Sequence, residues 1–279
     1  QRKLQPNGQG KRSEPFRHEW VSLKCFEAFV QGKTDMEWLQ ELATIKTEQS
    51  AAFIPDQHYL KTQNLKQLPN FAQCVAWLIV SHHRLPMYIH NGQVAPSLDA
   101  DWLQEFDAKW NSPSINLLDW TEQDKQSNWT FATGLPSQSH TWCTKARSLA
   151  KRGLQNLSVV AQYQWQTWHL SNHVARLCLM LSDHRYSAAG ITPQWQDQNY
   201  LAYANTDADK QLKQKLDEHN VAVGHYAYLL AKQLPRLMAE LPSLGLNQAL
   251  NKGIGAQTEA FQWQEQAYRH PFNIHAEAA

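Results

Sequence analysis

Two adjacent histidines are the residues whose type and position best suit metal chemistry in this 279-residue chain. His82 and His83 end the segment LIVSHHR, where His82 falls on the same apolar stripe as Val75 and Leu78. Neutral imidazoles that face a core need partners, and a metal ion is a common one. The alternative is that both rings simply end a helix near the negative end of its dipole.

A carboxylate and a third histidine are the other candidates. Asp183 follows the almost wholly apolar segment VARLCLML, so its carboxylate is expected in a buried environment. An ionised carboxylate is costly to bury unless it is paired or binds a metal. A local pair with Arg185 is the open alternative. His18 begins another predicted helix and is equally compatible with a surface position, so only long-range folding can bring these residues together.

The elements that must position these residues are predicted to be helices, because apolar residues recur at three- and four-residue spacing. No alternating strand pattern of useful length and no internal repeat occurs, so the fold class is all-α. Residues 111–139 are predicted to have little regular structure. The predicted helices are 18–30, 35–42, 68–80, 99–110, 141–152, 159–182 and 209–234.

Composition restricts the class of protein. A hydrophobic fraction of 42% is ample for a core, and no apolar run approaches the roughly 20 residues of a membrane span. The 26 basic and 25 acidic residues exclude a strongly basic surface, so any nucleic-acid contact must be local. One basic stretch, TKARSLAKR, holds Lys145, Arg147, Lys151 and Arg152, which could follow a phosphate backbone or form a solvated helix face. Four cysteines without a Cys-x-x-Cys pair predict a reducing cytoplasm.

The order of several short motifs resembles a known family. RHEW is followed about 64 residues later by SHHRLP and about a hundred residues further by SDHRYS. Two more segments support the resemblance, LDEHNVAVGHYA at 216–227 and GIGAQTEAFQWQEQA at 253–267. Over residues 14–268 the chain resembles the HD-nuclease domain of the CRISPR-associated helicase-nuclease of type I systems, most closely that of subtype I-F.

The resemblance implies an HD-superfamily helical nuclease domain over 1–235, followed over 236–279 by a helical linker and the start of the helicase region. In that family the domain is a metal-dependent nuclease that degrades single-stranded DNA. His18, His82, His83 and Asp183 match metal-ligand positions and would therefore be the catalytic residues. The bound ions would lower the pKa of a bridging water, and the donor set suits Mn, Fe, Co or Ni. Arg84, directly after the histidine pair, is expected to contact the scissile phosphate.

The resemblance also implies partners in antiviral defence. An adjoining helicase feeds the strand to the nuclease after the RNA-guided surveillance complex has opened the target. The CRISPR integrase and a phage-encoded inhibitor are further expected partners, in the cytoplasm and without a membrane. ATP serves only the helicase, because this chain holds no Gly-x-x-x-x-Gly-Lys-Ser/Thr phosphate loop.

One departure from the family pattern concerns the His-Asp pair that names the superfamily. No His-Asp dipeptide occurs in the 279 residues, and it is expected before RHEW. We expect the chain to begin just after that pair. A truncation with a truly incomplete site is the alternative. In both cases the two ligands expected to bridge the metals are missing from these residues, which predicts weaker metal binding and leaves open that the chain as it stands is inactive, because ligand count sets metal affinity.

Two other functions are compatible with the sequence. An HD-type nucleotide phosphohydrolase would share the metal chemistry but act on a small nucleotide in a closed pocket. A metal-poor docking module would instead bind the surveillance complex or the integrase. The FQWQ segment argues against the first alternative, and the missing His-Asp pair keeps the second one open.

Overall fold

The structure is a computed structural model that describes residues 16–55, 65–83, 88–90, 93–95, 121–127, 129–163, 165 and 167–240. Within these ranges it is mostly helical, so the predicted all-α class is confirmed. One short antiparallel hairpin, β1 (Tyr88–His90) with β2 (Gln93–Ala95), adds to the helices. The helices are α1 (His18–Val30), α2 (Asp35–Leu42), α3 (Asn70–Ser81), α4 (Glu122–Ser127), α5 (His140–Gln155), α6 (Leu157–Gln162), α7 (His169–Ala188) and α8 (Leu216–Glu240).

Helices α1 and α3 pack against each other, and α2 packs against α5. The first contact buries Trp20 and Leu23 of α1 against Trp77 and Val80 of α3. Complete burial of an aliphatic side chain such as Leu23 or Val80 contributes about 1.5–3 kcal/mol to stability. The second contact is centred on Trp38, Leu39, Cys143, Ala146 and Ala150. The first cluster packs the beginning of α1 against the end of α3.

Asp35 determines where α3 begins. Its carboxylate accepts hydrogen bonds from the backbone N–H groups of Phe71 (2.9 Å) and Ala72 (3.1 Å). A carboxylate at a helix N-terminus satisfies unpaired N–H groups and interacts favourably with the helix dipole. Asp35 itself begins α2, whose capping box joins Thr34 and Glu37. The start of α3 is therefore tied to α2.

The helix predicted over 159–182 is interrupted in the structure. Helix α6 ends at Gln162 and α7 begins at His169. Side chains stabilise the intervening turn: Asn70 Nδ2 donates to the carbonyl of Tyr163 at 2.7 Å, and Asn172 Nδ2 donates to the carbonyl of Trp165. These carbonyls accept from side chains instead of from helical N–H groups, so the periodic pattern does not continue as one helix.

The helix predicted over 209–234 begins later, at Leu216. Residues before it form a loop in which the backbone N–H of Asp207 donates to the carbonyl of Gln211 at 2.9 Å. Lys210 has a φ of 61°, a left-handed conformation that a helix excludes. This prediction of the start was therefore wrong by about two turns.

Several predictions lie wholly or partly outside the described residues. The helix over 99–110 and Arg84 fall outside them. Residues 111–139 are described only from 121 onward, where α4 and a 3₁₀ helix at Pro136–Gln138 occur. The chain divides into units 1–229 and 230–279, and the second is described only to 240. The domain boundary at 235 stays a prediction. In the described part, no helix is long and apolar enough to cross a membrane.

Candidate metal centre

Three of the predicted ligands come together at the start of α1 and the end of α3. One ligand atom from each of His18, His82 and His83 lies within 4.8 Å of the others. The ring centroids are 4.8 Å apart for His18 and His83, and 4.1 Å apart for His82 and His83. His18 is 62% exposed and the other two are half-buried, so the cluster opens to solvent. Three imidazoles at this spacing can hold one divalent transition metal ion.

Hydrogen bonds and ion pairs orient two of these rings. His82 Nδ1–H donates to the carbonyl of Ile79 at 2.6 Å, which leaves Nε2 as the metal-binding atom. His18 Nδ1 lies 3.4 Å from Glu19 Oε2. Glu19 is fully buried and its carboxylate accepts from Arg17 Nη2 at 2.9 Å. Metal-binding histidines usually present their second ring nitrogen to a carbonyl or carboxylate in this way.

Glu19 remains ionised beside His18. Burial alone would raise the pKa of the Glu19 carboxyl, but the hydrogen bonds from Arg17 and the neighbouring His18 outweigh it, so its pKa is lowered. The charge of Arg17 balances that of Glu19, so the carboxylate orients His18 without adding net negative charge. Glu19 belongs to the RHEW motif, but the sequence interpretation assigned no role to it.

Asp183 of α7 lies beside the cluster. Its Oδ2 atom is 3.8 Å from His83 Nδ1, and its Oδ1 atom accepts from His219 Nε2 at 2.7 Å. Burial alone would raise the pKa of Asp183, but the hydrogen bond and charge of His219 lower it. The carboxylate is therefore ionised. The distance of 3.8 Å is too long for a hydrogen bond, so both atoms are available to a shared ion.

The local alternative for Asp183 does not occur. Arg185 lies over the ring of Tyr226, with its guanidinium carbon 4.4 Å from the ring centroid. Among the described residues, Asp183 forms its ion pairs with His83 and His219 instead. Asp183 thus faces the histidine cluster across the helix interface.

His83 is neutral at physiological pH. Burial, together with the adjacent imidazoles of His82 and His18, lowers its pKa to about 4. The neutral imidazole is the form that binds a metal.

Two histidines near Asp183 were not among the predicted site residues. His219 of α8 is largely buried and bonds directly to Asp183. His184 forms a second group with His83 and Asp183, in which all ligand atoms lie within 4.8 Å. His219 stands within LDEHNVAVGHYA, a segment that carried the resemblance, and that was the available signal. His184 is adjacent to Asp183 in the sequence but gave no periodic signal.

Arg176 links the two elements that supply the cluster. Its Nε atom donates to the carbonyl of Ser81 at 2.6 Å, at the last residue of α3. Arg176 and Asp183 are seven residues apart, so they lie on the same side of α7 about two turns apart. The bond therefore holds the His82–His83 end of α3 against the helix that carries Asp183.

We expect the substitution Arg176→Ala to lower the affinity for Mn²⁺ by about tenfold, because residues that orient metal ligands have effects of this size. Isothermal titration calorimetry measures the affinity. Arg185→Ala, on the same helix but with its guanidinium over Tyr226 of α8, is the control and should bind Mn²⁺ like the unchanged chain. Equal affinities of both variants would refute the positioning role of Arg176.

The fold and the site together define a class: an α-helical protein whose imidazole and carboxylate groups from three helices converge on a candidate metal centre. No protein-family model matches the chain. It is 39% identical over 277 residues to the CRISPR-associated nuclease/helicase Cas3 subtype I-F/YPEST of Pectobacterium atrosepticum, covering 94% of this chain and 25% of that protein. It is 37% identical to the protein of the same name from Pseudomonas aeruginosa, covering 92% of this chain and 24% of that one.

The resemblance to the type I-F nuclease-helicase is therefore confirmed for the region that the chain spans. The chain covers about a quarter of the length of these curated relatives. Nearly all of this chain is included in the similarity, so the helices that carry the histidine cluster belong to the shared region.

Proposed function

We propose that this chain is the nuclease part of a CRISPR-associated nuclease/helicase and that it hydrolyses phosphodiester bonds of single-stranded DNA with a bound divalent transition metal. The observation that carries the proposal is the convergence of His18 with His82 and His83, beside Asp183. His18 begins α1, the histidine pair follows the last residue of α3, and Asp183 belongs to α7. Three distant segments of the chain therefore converge. The names of the two relatives support a nuclease.

The donor chemistry fits a transition metal. Three imidazoles and one carboxylate suit Mn, Fe, Co or Ni better than Mg or Ca, which prefer all-oxygen sites. The orientation of the His18 and His82 rings by Glu19 and Ile79 matches the usual surroundings of metal-binding histidines. His18, His82, His83 and Asp183 are the residues that would hold the ion.

Different residues of the chain would have different roles in the hydrolysis. A bound metal would act as a Lewis acid, which polarises the phosphate and lowers the pKa of a water molecule. His219 holds the Asp183 carboxylate in one orientation. Glu19 holds His18 in a similar way, and Arg176 keeps α3 and α7 in register. The exposed side of the cluster at His18 leaves room for a strand of DNA to approach.

The partners follow from the nuclease/helicase relatives. An adjoining ATP-dependent helicase would feed the strand, and the surveillance complex would open the target. Association with the CRISPR integrase, blockage by a phage-encoded inhibitor and a cytoplasmic location belong to the same proposal. Arg84 stays the predicted phosphate contact.

The proposal is tested by metal content and cleavage measured on the same preparations. We expect the purified chain to contain transition metal by elemental analysis and to cleave labelled single-stranded DNA when Mn²⁺ or Ni²⁺ is present but not in EDTA. The double variant His82→Ala/His83→Ala should lose both properties. His140→Ala is the matched control, because His140 is an exposed histidine at the start of α5 and outside the cluster.

Three results would refute the proposed nuclease. Absence of metal from the unchanged chain would leave a docking module. Bound metal without cleavage of any strand would exclude the reaction. Hydrolysis of mononucleotides in place of a strand would identify a phosphohydrolase.

A further inference from the structure

A second group of positively charged side chains lies where α5 and α8 run side by side. The Cε atom of Lys145 is 3.6 Å from the position that a Cβ would have at Gly224, so the lysine stem crosses α8 where a side chain is absent. One to two turns further, the guanidinium carbon of Arg152 lies 4.3 Å from the ring centroid of Tyr228. The two cationic groups therefore occupy the same side of the helix pair.

We name Lys145 and Arg152 the α5–α8 cation cluster, and the uncharged imidazole of His225 lies beside it. Burial lowers the pKa of Lys145, and the positive charge of Arg152 lowers it further. Burial likewise lowers the pKa of His225, and Lys145 adds to that effect. In the described part of the chain, no acidic side chain forms an ion pair with either Lys145 or Arg152. Such uncompensated charge attracts an anionic ligand.

Two aromatic rings lie next to His225 and Arg152. Trp195 lies 5.5 Å from His225 between ring centroids and is half-buried. Tyr228 is 43% exposed, although Arg152 covers one part of it. Cations interleaved with accessible aromatic rings are typical of proteins that bind single-stranded nucleic acid, in which the bases are free to stack.

The basic stretch of the sequence divides between different roles. Arg147 turns away and donates to the carbonyl of Ile45 at 2.8 Å and to Thr144 Oγ1 at 2.9 Å, so it links α5 to the segment after α2. Lys151 is exposed and lies about 100° around the helix from Arg152. Only Lys145 and Arg152 face α8.

We propose that the α5–α8 cation cluster, with Trp195 and Tyr228, binds the phosphodiester backbone and bases of single-stranded DNA at a distance from the metal centre. The inference rests on the proposed function, because it takes the strand to be the nuclease substrate. His225 is six residues beyond His219 on α8, which is about 9 Å along the helix axis. The cluster therefore lies beside the same helix that carries the direct partner of Asp183.

Fluorescence anisotropy with the 279-residue chain tests the proposal. The probe is a labelled oligothymidylate of about 16 nucleotides, and EDTA separates binding from cleavage. We expect the double variant Lys145→Gln/Arg152→Gln to bind about tenfold more weakly and to lower the salt slope by about 1.4, because two phosphate contacts are lost. Tyr228→Ala should weaken binding of the oligothymidylate about fivefold but leave binding of an abasic strand unchanged.

Lys151→Gln is the matched control, because it removes one charge from another side of the same helix. It should bind the probe like the unchanged chain. Equal binding by the double variant and the unchanged chain would overturn the proposal and would leave an acidic protein surface as the partner of the cluster. Equal weakening by Lys151→Gln would also overturn it, because only the net charge would then matter. If the unchanged chain binds the strand but does not cleave it in the presence of metal, the proposed nuclease is refuted and the proposed binding site is retained.

Discussion

The Asp183→Asn variant is expected to bind Mn²⁺ about 100-fold more weakly than the unchanged chain or worse, and to lose cleavage of single-stranded DNA. The substitution keeps the size of the side chain but removes the negative charge that faces His83 at 3.8 Å. Losing a direct ligand should exceed the 10- to 100-fold effect of losing a residue that only orients a ligand. The asparagine oxygen can still accept from His219, so the helix interface should persist.

Calorimetric titration of Mn²⁺ and a strand-cleavage assay measure the two effects. Asp209→Asn is the control, since it makes the same chemical change at an exposed position of the loop before α8. Unchanged metal affinity in Asp183→Asn would show that the carboxylate serves only to pair His219. Weakened affinity in Asp209→Asn as well would show a general effect of net charge.

The Glu218→Ala variant is expected to lower the free energy of unfolding by about 3–5 kcal/mol, because three donors lose their acceptor. Glu218 is fully buried, and its Oε1 atom accepts from Tyr186 Oη at 2.5 Å and from the backbone N–H of Thr192 at 2.6 Å. Its Oε2 atom accepts from Gln196 Nε2 at 2.5 Å. Truncation leaves these donors without an acceptor, and each unsatisfied buried donor costs about 1–3 kcal/mol.

Urea unfolding followed by circular dichroism measures this loss. Asp209 is an exposed acidic residue of the loop before α8. Asp209→Ala should therefore change the free energy of unfolding by less than about 0.5 kcal/mol. Because Glu218 precedes His219, the Glu218→Ala variant should also weaken Mn²⁺ binding. A loss of less than about 1 kcal/mol would mean that water replaces the carboxylate.

Local features of the fold were predictable from the sequence. Helices α1 and α2 have the predicted bounds, because apolar spacing, the Thr34–Glu37 capping box and a glycine after α1 act within a few residues. Gly32 has a φ of 74°, a left-handed conformation that suits glycine just after a helix. The gap between α6 and α7 was not predictable, because side chains from Asn70 and Asn172 stabilise it.

The candidate site was predictable as a set of residues but not as an arrangement. His82 and His83 were recognisable because they are adjacent on one helix end, and the motif order marked His18 and Asp183. The direct partner of Asp183 could not be deduced, since Arg185 is nearer in the sequence whereas His219 comes from another helix. The spacing of apolar residues does not distinguish Glu19 from the other residues of α1. Its buried pairing with Arg17 therefore could not be deduced from the sequence either.

By itself the sequence determined the helical class, the first helices, the histidine pair and the similarity to type I-F nuclease/helicases, because these properties reside in residue types and short spacings. Only the tertiary structure decided that His18 meets His83, that His219 holds Asp183, and that Lys145 and Arg152 separate from Arg147. Each of these contacts joins segments far apart in the chain. Their geometry depends on how whole helices pack, and no local pattern encodes that packing.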